Sequence, residues 1–493
     1  MINKDKVLKL LNETTNFGLL NLETLEENNI IWESKENNIY RFKDKLIAET
    51  ALYIFIIKRT LQGTEYNNLL ATCDKIASNL IPYVLNQRNK IIIHKNPQLC
   101  FTFSLLYICL KDYWCQDDEY SHLLKRISAL DKFNIFERLP FRQLDIMWVY
   151  NVNRGKSINL NTFKNSIIKL GTHPIYMERS DAYAFTHSIM YLTDFGKNYN
   201  FIHQSKFKID IYNVLCASIN WYLFVKDYDI LAEMLISYFY CNFEINERVL
   251  IALGTMIDHW ENFSYLPGPN YKQKTYEGLE EHLKKPYYFQ HLYHTCYVFG
   301  LCLSAYIKYS EQSQKQKASH LSFYSKKKRI NLINRTLLNI KNYLKTHFNV
   351  EPFDYDLLKA HYTTENTIYI LNKYLSDLDA PYEYIKAIDS SNVNCKEKGE
   401  IIFEVITTLS IIEYNLEMLV EILCLYITNE NSILNNYTFQ EAIDYLQIQQ
   451  MQNGLIGTFF YNGENLETLK KESITYHNKL IYLFISIEMY KNR

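Results

Sequence analysis

The stretch from Ser180 to Gly196 carries the residues best suited to chemistry. On a helix, Tyr183, His187, Tyr191 and Asp194 fall at i, i+4, i+8 and i+11 and so line one face. The rest of the segment is apolar, which puts this polar stripe inside the protein. A buried imidazole or carboxylate is costly unless it is hydrogen-bonded, paired or bound to something. Two roles meet that requirement: His187 bonds to Tyr191 or Asp194 and staples neighbouring helices, or the stripe serves a ligand or a reaction. A second segment, Tyr287 to Gly300, sets Gln290 and His294 on one face, with His291 one turn before His294. Two imidazoles at that spacing can approach one metal ion, but no carboxylate lies one turn away, so no metal is expected. A third segment puts His361 and Glu365 at i and i+4. Acid-base chemistry needs groups held on opposite sides of a substrate. If these helices converge, His187, Asp194 and His294 are the catalytic candidates, and Tyr183, Tyr191, Gln290, His361 and Glu365 the substrate-binding ones.

The familiar catalytic hardware is missing. The sequence has no GxGxxG after a strand, no GxxxxGK[ST], no GxSxG and no HExxH, so nucleotide, α/β-hydrolase and zincin chemistry lack their phosphate cradle, nucleophile or metal ligands, and no cofactor is indicated. Asp117-Asp118-Glu119 reads as an acidic helix start. A net charge of −1 leaves no surplus of Lys and Arg to attract phosphate backbones, so a nucleic-acid partner is not expected. The one basic run, Lys326 to Arg329, reads as a solvated helix start. Ten cysteines show neither CxxC nor regular spacing, which argues against a disulfide framework or a zinc ribbon. The first residues are charged where a signal peptide would be apolar, and no apolar run is long enough to span a bilayer. A cytoplasmic location away from membranes is expected.

The elements that must position these residues are helices. Apolar residues make up 48% of the 493-residue chain, charged ones 22%, and the apolar ones recur at spacings of three and four over long windows. About fifteen helices follow, the clearest over 180–193, 209–225, 228–240, 246–260 and 287–309, with one long helix over 399–427. Only 13 Gly and 9 Pro serve the chain, and most of the prolines fall between helices or at their starts. Strand signals are confined to a small hairpin around 30–42 and an extended piece over 90–94. The polar stretch 311–328 reads as a linker or long loop between helical regions over 1–310 and 329–493. The expectation is an all-α protein of antiparallel helical hairpins, arranged as a closed α/α toroid or as a helical-repeat array; no fixed repeat period is visible.

Residues 445–460, YLQIQQMQNGLIGTFF, resemble the helix-to-turn element of α/α-toroid proteins such as terpene cyclases and protein prenyltransferases, in which a Gln-rich helix end runs into a Gly turn. That resemblance implies the toroid shape. It brings no working residues, because the zinc element of the lanthionine cyclases and the acidic motif of the terpene cyclases are both absent. The segment Tyr183 to Gly196 resembles the central part of an uncharacterised bacterial family whose genes often sit near peptide natural-product pathways. The resulting expectation is a central cavity that binds or modifies a small molecule or peptide, with bacterial peptide natural-product metabolism as its setting. The alternative is a non-catalytic helical-repeat protein with a peptide or protein partner in a concave groove.

Overall fold

The computed structural model describes residues 2–26, 40–129, 138–153, 166–169, 172–198, 207–312, 326–348, 354–363, 371, 374–375, 381–391, 394–429, 434–451, 455–457 and 466–491. The described chain is all-α, with no strand among those residues and an isolated antiparallel bridge between Gln450 and Ile456. None of its helices is long and apolar enough to cross a membrane.

The helices are α1 (Lys4–Leu22), α2 (Phe42–Thr60), α3 (Asn67–Leu85), α4 (Gln87–Lys95), α5 (Cys100–Leu110), α6 (Asp118–Ala129), α7 (Pro140–Asn153), α8 (Arg179–Leu192), α9 (Lys208–Phe224) and α10 (Tyr228–Tyr240). They continue with α11 (Glu247–Phe263), α12 (Gln273–Glu277), α13 (Glu281–Glu311), α14 (Lys326–Tyr343), α15 (Tyr355–Thr363), α16 (Tyr382–Ser390), α17 (Cys395–Ile412), α18 (Leu416–Asn429), α19 (Tyr437–Ile448) and α20 (Leu466–Lys491). The chain divides into two compact units. One is Met1–Thr172, Glu178–Leu215 and Lys226–Ala318; the other is His173–Met177, Cys216–Val225 and Ser319–Arg493.

In the first unit α13 is the axis, with α1, α2 and α10 packed against it, and α8 lies between α7 and α10. The approach of α1 and α2 to α13 depends on two glycines. A Cβ on Gly18 would stand 2.9 Å from the Tyr297 ring, and one on Gly300 would stand 2.4 Å from the Tyr53 hydroxyl. Tyr53 and Tyr297 stack with centroids 4.7 Å apart, and their buried hydroxyls are met by Thr15 at 2.8 Å and Thr50 at 3.2 Å. Tyrosine here therefore fills core volume while threonines on the neighbouring turns satisfy its oxygen.

The second unit contains the glutamine-rich turn. After α19 the chain reverses through the Gln450–Ile456 bridge and passes Gly457 in a left-handed conformation, φ +80°. Asn453-Gly454, expected to make that turn, lies outside the described residues. Buried His477 on α20 holds the return: its Nε2 accepts from the Ile456 amide at 3.2 Å and its Nδ1 donates to the Ser473 carbonyl at 2.7 Å. Both contacts suit the neutral ring, and burial lowers its pKa to about 4.

Several expectations need correction. The piece over 90–94, expected to be extended, is part of α4, capped by Asn86 and anchored where buried Lys90 pairs with Asp117 at 2.9 Å and Glu119 at 2.8 Å. The single helix expected over 399–427 is the antiparallel pair α17 and α18, reversed at Tyr414, φ 57°. The hairpin strand at 30–32 lies outside the described residues, and Phe42 opens a helix. The polar stretch at 311–328 is described only at its ends, where α13 finishes and α14 begins.

Candidate functional site

Helix α10 explains why polar residues gather in the first unit. All thirteen of its residues are buried, including Asp229 and Glu233, which sit one turn apart among apolar neighbours. A helix covered on every side belongs to the centre of a fold, and its carboxylates must find donors there. They find them on α8 and α13. Tyr183 donates to one oxygen of Asp229, and Thr295 donates to the other at 3.2 Å. Thr186 donates to Glu233 Oε2, while the Nε2 of His187 faces Glu233 Oε1 at 3.2 Å. Arg179, in the first turn of α8, binds Asp227 through two nitrogens and reaches the Tyr183 hydroxyl at 3.0 Å. A capping box between Glu178 and Asp181 fixes where α8 starts and hence which turns face α10.

The second histidine stands between helices. Nδ1 of His294 is 3.1 Å from Glu49 Oε2 on α2, and Nε2 is 3.6 Å from Asp229 Oδ1 on α10. Tyr293 donates to the same Glu49 oxygen at 2.8 Å. With a carboxylate at each ring nitrogen, the arrangement suits an imidazolium that donates both ways. Burial works against that charge, but Asp229 and Glu49 outweigh it and raise the His294 pKa to about 10. Burial likewise opposes the Glu49 charge, and His294 reverses the balance, holding that carboxyl down at about 2. His187 follows the same pattern: burial is overcome by Glu233, and the ring keeps its proton above the usual histidine range. Its Nδ1 is buried and has no hydrogen-bond partner among the described residues.

Exposure gives the cluster a direction. The side chains of Asp229 and Glu233 are 2% exposed, whereas those of His187, His294 and Glu49 are 27%, 39% and 25% exposed. Carboxylates form a floor, and the imidazoles stand over it at an edge that water reaches. Rings of Phe141, Tyr183 and Tyr191 surround His187 at 5.9–6.1 Å. Tyr191 also bonds to Asp145 on α7, whose pKa burial raises despite nearby Arg142.

A protein-family profile described as "Domain of unknown function (DUF6895)" matches residues 23–304, more than half of the chain. The chain belongs to that family. In this DUF6895 member Glu49, His187, Asp229, Glu233 and His294 all fall inside the matched stretch. No curated protein and no solved structure matches the chain.

Of the residues singled out from sequence, the structure brings Tyr183, His187, Tyr191 and His294 into one neighbourhood, with half-buried Gln290 one turn before His294 on α13. Asp194 does not share their stripe. Helix α8 ends at Leu192, and Asp194 and Phe195 both take left-handed backbone, φ 51° and 53°. There Asp194 pairs with Arg59 at 2.5 Å and accepts from the Trp148 indole at 2.8 Å, so it fastens the helix end. The helical spacing behind its assignment stops two residues too early. His361 is exposed on α15 in the second unit, and Glu365 lies outside the described residues. His291 is half-buried against Tyr287, ring centroids 4.3 Å apart. Among the described residues no three His, Cys, Asp or Glu side chains stand close enough to hold a metal ion.

Sequence reasoning missed Glu49, Asp229 and Glu233. A signal was available: Glu49 and Glu233 are acidic residues inside apolar runs and Asp229 opens one, the same kind of anomaly that singled out His187.

Proposed function

We propose that the first unit binds a small molecule or a peptide segment at the edge formed by His187 and His294, and that His187 is the group set to move a proton on it. The observation that carries this reading is the pairing of two partly exposed imidazoles with the buried carboxylates of Glu233 and Asp229 and the partly exposed one of Glu49. Such pairing fixes ring orientation and keeps a proton on each imidazole, while part of each ring stays exposed to a guest. A protonated His187 beside a bound oxygen is a general acid; after giving up its proton it is a base within reach of the same atom. A setting in bacterial peptide natural-product metabolism is our inference from the resemblance of the Tyr183 to Gly196 segment.

The test compares two residues of α8 and its end. His187→Gln removes a hydrogen bond to a buried carboxylate and is expected to cost about 1–3 kcal/mol. It is also expected to abolish retention of any molecule that native mass spectrometry finds on the purified protein. Asp194→Asn is expected to lower the melting temperature while the folded fraction keeps that molecule. Loss of stability in His187→Gln with full retention would overturn the proposal and leave the histidine as a staple.

A further inference from the structure

We propose that the group received at this edge is an ammonium, the N–H-bearing cation of a protonated amine. The inference rests on reading the His187–His294 cluster as a binding site and names what that site takes.

Atom by atom, the donors facing the three carboxylates are already engaged. Tyr183 and Thr295 are used by Asp229, Thr186 by Glu233, Tyr293 by Glu49, and both nitrogens of His294 face carboxylates. The open positions accept. Glu49 Oε1 has no hydrogen-bond partner among the described residues, its side chain is partly exposed, and Lys45 acts on it through space. The amide of Gln290, on the His294 face of α13, has none either and can turn its oxygen outward. Asp227, Asp229, Glu233 and Glu49 face Arg179, which also reaches Asp229 at 3.8 Å, Lys45 and the two imidazoliums, so these charges balance and the open Glu49 oxygen is where an added N–H finds an acceptor. The aromatic faces around His187 add attraction for a cation. A carboxylate ligand would meet the open Glu49 oxygen with like charge.

His187 supplies a second, independent sign. Its Nδ1 is buried without a partner among the described residues, so with two protons on the ring one N–H is left unsatisfied by them. The charged and titratable groups facing this ring are Asp145 and Arg142 from α7, Tyr183 and Tyr191 from α8, Glu233 from α10 and His294 from α13. A further cation entering among them makes the second proton easier to release, which turns the orphan donor into a lone pair. Ammonium binding therefore expels a proton from His187.

The experiment uses the full-length protein labelled with 15N-histidine and titrated with methylammonium, tetramethylammonium and acetate. Methylammonium is expected to give saturable shifts at His187 and His294 and to lower the His187 titration midpoint; tetramethylammonium, which has no N–H, should bind at least several-fold more weakly. Gln290→Glu, at a half-exposed position with no partner to lose, should tighten methylammonium about tenfold. Saturation by acetate, or equal binding of the two cations, overturns the ammonium assignment while a binding site stands. Silence from all three probes overturns both this inference and the binding-site reading.

Discussion

Replacing His294 with Gln removes the cation between Glu49 and Asp229 while keeping a side chain that still donates a hydrogen bond. The imidazole meets those carboxylates at 3.1 and 3.6 Å and so ties α13 to α2 and α10. Deleting one partner of a buried ion pair costs about 3–5 kcal/mol, but a ring 39% exposed is screened by solvent, which brings the expected loss to about 2 kcal/mol. The pH dependence is more discriminating than the size. The His294 pKa is raised from 6.5 to about 10, so its contribution is complete below pH 6.5 and fades as pH rises through that interval. The Glu49 pKa is lowered from 4.5 to about 2, so the same contact is complete above pH 4.5 and fades as pH falls towards 2. The stability difference between parent and His294→Gln should therefore plateau between about pH 4.5 and 6.5 and shrink on both sides. Urea unfolding of both proteins, followed by far-ultraviolet circular dichroism from pH 4 to 10, gives the curve. A difference that is constant across that range, or that grows above pH 7, would refute an imidazolium held between two carboxylates.

Gly300→Ala pushes a methyl group to within 2.4 Å of the Tyr53 hydroxyl in a packed core, and should cost about 1–3 kcal/mol in thermal melts with little change in helical content. In the second unit, His477→Leu removes both the acceptor for the Ile456 amide and the donor to the Ser473 carbonyl. It should destabilise by about 1–3 kcal/mol at pH 8 and by less as the pH falls from about 6.5 towards 4, because the ring stays neutral in the folded protein but takes a proton near 6.5 once unfolded, and hydrogen exchange at Ile456 should accelerate.

The class of the fold is legible in the sequence because helices of this kind bury one face and leave a three-four pattern; α10 begins and ends at the residues read for it. What escapes is anything decided by contacts distant in sequence. Helix α1 does not stand out because Thr14, Thr15, Asn16 and Gly18 interrupt its pattern, yet the threonines are there for the Tyr53 hydroxyl and the glycine for the Tyr297 ring. The Ile91-Ile92-Ile93 run suggests extended chain, whereas an asparagine cap and the buried Lys90 pairs stabilise a helix. No Gly or Pro marks the reversal at Tyr414. The histidines of the site are visible as polar residues in apolar helices. Their partners, Glu49 from α2 and Asp229 and Glu233 from α10, belong to helices whose convergence no spacing within one helix reveals.

The available donors separate a staple from a site. Asp229 already has Tyr183 and Thr295 as donors, one on each oxygen, without His294. Thr186 meets one oxygen of Glu233, and a further hydroxyl would satisfy the other at lower cost than an imidazole whose second nitrogen is left buried and unpaired. Where stability alone is at stake, buried ion pairs are commonly replaceable by apolar side chains without loss. Histidine adds what neither hydroxyls nor apolar groups provide: a proton that can be taken or given, held in a known orientation at an edge that water reaches. The chain keeps two such rings over carboxylates contributed by separate helices. Asp194, the other acid-base candidate on this segment, instead meets Arg59 and a tryptophan at a helix end, where both of its contacts fasten one element to another. The contrast between the middle of α8 and the turn that follows it is the physical ground for expecting His187→Gln and Asp194→Asn to behave differently.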